Sequence, residues 1–62
     1  MNYYIDAQIT NMILMTKTFN ESCRMAATQN DGKIDKDEEK TLKKIRVATE
    51  KFIKELESIK KP

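Results

Sequence analysis

Along the second half of the chain, apolar positions recur in alternating steps of three and four. Leu42, Ile45, Thr49, Phe52, Leu56 and Ile59 form the series, and Ala48 falls on the same side. That spacing collects side chains on one stripe of an α-helix and matches a coiled-coil seam. From Lys36 to Lys61 there is no glycine or proline, and Lys, Glu, Ile and Leu dominate. Asp35 followed by Glu38 is an aspartate version of the capping box, in which two side chains satisfy the free amides of a helix start. Asp37, Glu38 and Glu39 crowd that start and Lys60 and Lys61 the end, as the helix dipole favours. Pro62 marks the stop, so the pattern predicts a helix over about 35–61.

The first half predicts a noisier helix over about 4–27. Ile5, Ile9, Met12, Phe19, Cys23 and Ala26 share one face, with Thr16 in the same row. Asp6, Lys17 and Arg24 define a polar edge, and Ile13 falls beside it. Leu14, Met25 and Ala7 form a second apolar row, and Asn20-Glu21-Ser22 is the place for a kink or a break. Between Met1 and Gln29 only Asp6, Lys17, Glu21 and Arg24 carry charge. A helix touching a single partner normally carries more charge on its free side, so this one is expected to be covered from two directions.

With 62 residues there is room for one domain. The expected fold is all-α: an antiparallel helical hairpin of two long helices with its turn over about 28–34. A two-helix hairpin cannot enclose a core, and chains this short usually need another stabiliser. Two hairpins paired into a homodimeric four-helix bundle supply it; docking onto a larger protein partner is the other remedy. The expected partner-binding surface is Ile13, Leu14, Met15 and Met25 on the first helix, where methionine adapts readily to a facing surface.

Composition narrows the chemistry. Cys23 is the sole cysteine and there is no histidine, which excludes an intrachain disulfide and leaves no zinc ligand set. Nothing is placed to activate the Cys23 thiol, so it reads as a small core filler. No catalytic constellation or glycine-rich phosphate loop occurs, so the expectation is a non-enzymatic protein without a cofactor. The lack of a disulfide framework and of a signal-peptide pattern favours a cytoplasmic setting. The longest apolar run, Met12 to Met15, is far below the roughly 18 residues of a membrane span.

Net charge is formally +2, yet Lys36, Lys40, Lys43, Lys44, Lys51 and Lys54 gather on the second helix nearly opposite its apolar seam. One reading is a rail for the phosphates of RNA or DNA. The other is a solvated outer face with helix-stabilising pairs such as Glu50 and Lys54. Glu39, Glu50, Glu57, Asp37 and Glu55 flank the lysines, and no aromatic residue interleaves them for base stacking.

The stretch "QNDGKIDKDEE", Gln29 to Glu39, contains the single glycine. Asp31-Gly32-Lys33-Ile34 followed by Glu38 resembles the second half of an EF-hand calcium loop. In that family a glycine makes the sharp turn, an apolar residue follows two places later and a glutamate closes the loop. The resemblance implies calcium held by Asp31, Asp35 and Glu38 with the Lys33 carbonyl; Ala27 stands where the family has its first ligand. The same residues also read as a corner without metal, with Asn30-Asp31-Gly32 as the turn and Asp35 with Glu38 as the cap. In size and hairpin plan the chain is similar to the plasmid repressor-of-primer family, dimeric four-helix bundles that clasp paired RNA loops. That family uses its first helices for RNA, whereas here the first helix carries only Lys17 and Arg24 as basic residues.

Overall fold

The computed structural model describes residues 2–29 and 32–60. Two α-helices account for most of them: α1, Tyr3–Thr28, and α2, Lys36–Lys60. Asn2 caps α1, its side-chain oxygen accepting from the backbone amides of Tyr4 at 2.7 Å and Ile5 at 3.4 Å. These amides have no partner within the helix, so the cap stabilises its first turn. α1 continues through Asn20, Glu21 and Ser22 as one helix.

The corner follows from local chemistry. Gly32 adopts φ 72°, a region in which a side chain would be strained, and donates its amide to the Thr28 carbonyl at 2.8 Å. The capping box then starts α2 as its sequence signature predicts. Glu38 donates its backbone amide to Asp35 Oδ1 at 2.8 Å, and Asp35 donates its own to Glu38 Oε1 at 3.0 Å. Of the turn residues, Asn30 and Asp31 lie outside the described residues, as do Lys61 and Pro62.

Two cross-helix hydrogen bonds give the direction and register of the pair. Asn20 Nδ2 donates to Thr49 Oγ1 at 2.7 Å, and Lys60 Nζ donates to Thr10 Oγ1 at 2.7 Å. Low numbers in α1 meet high numbers in α2, so the hairpin is antiparallel. Its Cα trace spans 46 × 16 × 8 Å, longer than the ~39 Å of α1 at the helical rise of 1.5 Å per residue. The Lys60–Thr10 bond sets Lys60 near the level of Thr10, so α1 begins about two turns beyond it.

The interior differs from the sequence expectation in its rotation. In α1, Ile9, Ile13 and Thr16 are buried, and Asn20, Cys23 and Ala27 continue the inner row half-exposed. Ile13, expected on the free surface, is only 9% exposed. Ile5, Met12 and Phe19, expected inside, lie on the outer flank. In α2 the inner row is Leu42, Ile45, Thr49, Ile53, Leu56 and Lys60. Phe52 and Ile59 are displaced from it. A straight α-helix lags a seven-residue repeat by about 20° per repeat, so the inward position advances from 52 and 59 to 53 and 60.

Candidate functional site

Only Ile9 and Ile13 form a buried apolar core among the described residues, while eleven large apolar side chains stay exposed. Their placement is ordered. Ile5, Met12, Phe19 and Ala26 stand seven residues apart on α1, one row beside the inner seam. Thr41, Phe52 and Ile59 are separated by about three and five whole turns of α2 and share a flank as well.

The two flanks belong to the same side of the hairpin. Near the corner, Cys23, Ala26 and Ala27 of α1 line a shallow hollow of about 450 Å³ together with Thr41, Leu42 and Ile45 of α2. Ala26 and Thr41 therefore open onto one face, and the rows that contain them follow it toward the opposite end. There the face carries the bulky side chains Ile5, Met12, Phe52 and Ile59, and near the corner it carries Ala26 and Thr41, with Asp37 and Glu38 also lining the hollow. The other side of the hairpin is polar: Glu21, Arg24, Glu39, Lys43 and Arg46 line the groove between the helices there.

Glu21 and Arg24 line that side, and helical spacing sets the other charged residues of α1, Asp6 and Lys17, on the same side of the helix. From the apolar face round to the back of α1 the surface is uncharged. Leu14, Met15 and Met25, three of the four residues expected to bind a partner, occupy this back and are more than half exposed. Ile13 does not join them, because it packs against α2. The seven-residue row Ile5-Met12-Phe19-Ala26 is the sequence signal of the exposed apolar flank of α1. Hydropathy on a wheel merged it with the neighbouring inner row, which contains the polar Thr16 and Asn20.

No family model, curated protein or solved structure matches the chain.

The six lysines Lys36, Lys40, Lys43, Lys44, Lys51 and Lys54 are all exposed on α2. Lys40, Lys43 and Lys44 surround Val47 and Ala48 in a dimple of about 420 Å³. Of the residues implied by the calcium resemblance, Asp31 lies outside the described residues. Asp35 Oδ1 and Glu38 Oε1 each accept one of the other residue's backbone amides, and no group of three or more carboxylates or thiols that could hold a metal occurs among the described residues. Asp35 and Glu38 thus form the two halves of the cap that starts α2. No helix among the described residues is long and apolar enough to cross a membrane.

Proposed function

We propose that this is a small non-enzymatic interaction protein that acts by pairing its apolar face with another protein surface. The observation that supports it is the joint exposure of Ile5, Met12, Phe19, Phe52 and Ile59 on one side of the hairpin. Fully burying a side chain of this size contributes about 1.5–3 kcal/mol, so five that stand 40–59% exposed keep roughly half of that driving force unused. The assembly this reading implies is a homodimeric four-helix bundle, with a regulatory role for the outer faces it leaves free. A lone thiol suits a reducing, cytoplasmic setting. The uncharged back of α1, with Leu14, Met15 and Met25, extends the partner-binding surface. Sedimentation of the chain and of Phe52→Glu at two concentrations tests the proposal. The expected result is a mass above 7.3 kDa for the parent and a helical monomer for the variant. A parent that stays monomeric and gains stability from Phe52→Glu overturns it.

A second reading is supported by the exposure of all six lysines on α2: binding of RNA or DNA along that helix. Affinity would then fall steeply with salt, and replacing Lys43, Lys44, Lys51 and Lys54 by alanine would abolish it. Calcium binding at the corner is the least supported reading, because Asp35 and Glu38 are engaged in the cap. Resonance shifts of Gly32 to Glu38 on adding millimolar calcium would revive it.

A further inference from the structure

We propose that the occupant of the apolar face is a second copy of this chain, stacked face to face about a two-fold axis that runs across the helices. α1 then lies antiparallel on α1 of the second copy, and the two corners point in opposite directions. The inference rests on the interaction role and homodimer proposed above and adds the orientation and register of the two copies.

The first argument is area. The chain exposes 5391 Å². A globular monomer of its 7.3 kDa mass would expose roughly 4,200 Å². The excess, roughly 1,200 Å², exceeds the about 800 Å² that each partner buries in a stable interface. One additional hairpin burying an interface of standard size covers roughly two thirds of it.

The second argument is self-complementarity. In an antiparallel pair centred on the middle of α1, Ile5 meets Ala26 of the second copy and Met12 meets Phe19 of the second copy. The same operation repeats both contacts in reverse. A row with seven-residue spacing is what a facing helix requires, and here each end of the row supplies what the other lacks.

The third argument is the shape of the face. Its hollow near the corner is lined by Cys23, Ala26, Ala27, Thr41, Leu42 and Ile45, with Asp37 and Glu38 also on its lining. Its bulky end carries Ile5, which stands 56% exposed on the part of α1 that projects past Lys60. A two-fold axis across the helices delivers that projecting end into the hollow of the second copy. A two-fold axis along the helices sets bulky end on bulky end and hollow on hollow, leaving the hollow unfilled.

The register is read by a pulsed dipolar measurement on Gln29→Cys in a Cys23→Ser background, spin-labelled at this exposed position, beside sedimentation of the same sample. The expected outcome is a dimer with labels about 40 Å apart, the length of 27 residues of helix. A dimer with labels under about 20 Å apart overturns this register and leaves the interaction role standing. A monomer at all concentrations overturns the second copy as the occupant of the face and leaves a different protein surface as its partner. As a second readout, Ile5→Cys with Ala26→Cys in the Cys23→Ser background is expected to form a covalent dimer on mild oxidation. Neither single cysteine is expected to cross-link, and a dimer trapped equally well by Ile5→Cys alone overturns the register.

Discussion

Asn20 donates its side-chain amide to the hydroxyl of Thr49 at 2.7 Å, and this bond joins the two helices where an apolar pair would otherwise sit. The Thr49 hydroxyl in turn lies 2.9 Å from the Ile45 carbonyl and 3.0 Å from that of Arg46, so its proton has a partner within α2. A half-buried polar pair of this kind adds little net energy, but each member is costly if left alone. Its use is to fix register, because sliding one helix by a turn strands both groups. Thr49→Val alone is expected to lower stability by about 1 kcal/mol, since the Asn20 amide then loses its acceptor. Asn20→Leu combined with Thr49→Val should recover that loss. Urea denaturation of the parent, both single variants and the double variant at one protein concentration measures the coupling.

Ile13 and Leu14 are adjacent in sequence, yet one is 9% and the other 57% exposed. Ile13→Ala is expected to cost about 2–3 kcal/mol, toward the low end for buried aliphatic residues because this core is thin. Leu14→Ala should change stability by less than about 0.5 kcal/mol. Thermal melts decide the matter. A larger effect at Leu14 than at Ile13 would mean that α1 is rotated from the orientation described.

At the corner two devices act independently. An added Cβ at Gly32 meets nothing within 4 Å, so Gly32→Ala suffers only from the backbone angle of φ 72°. The expected loss is about 1 kcal/mol. Asp35→Ala removes the cap of Glu38's amide and is expected to cost about 1 kcal/mol as well. For a domain of this size each change lowers the melting temperature by several degrees, about 4–8 °C per kcal/mol. Equal effects in calcium and in chelator would assign both residues to the fold and not to a metal.

The methionines report which faces are covered. Met25 is 70% exposed, Met15 62% and Met12 40%. Peroxide should convert Met25 and Met15 to sulfoxide before Met12, and raising the protein concentration should protect Met12 further as copies pair. Peptide mass spectrometry at two concentrations reads this order. Sulfoxide at Met12 is then expected to weaken the assembly, since it places a polar group on the apolar face.

Local signals in the chain determined the two helices, the cap at Asp35 and Glu38, and the corner at Gly32. Each depends on residues within one or two turns of each other, and such interactions survive in almost any surroundings. The all-α hairpin follows from them, because a short corner leaves the second helix no course but back along the first. The rotation of each helix was a tertiary decision. Ile13 and Ile53 turn inward, and Met12, Phe19 and Phe52 turn out, because the helices meet along a line that Asn20, Thr49, Thr10 and Lys60 lock by hydrogen bonds. The seven-residue pattern places Thr49 in the seam, but hydropathy counts Thr10, Asn20 and Lys60 as polar and leaves them out, so a wheel drawn from sequence centres on the wrong row. The candidate site inherits the same limit: its residues were all visible as apolar, but which side of the hairpin they share depended on how two helices face each other in space.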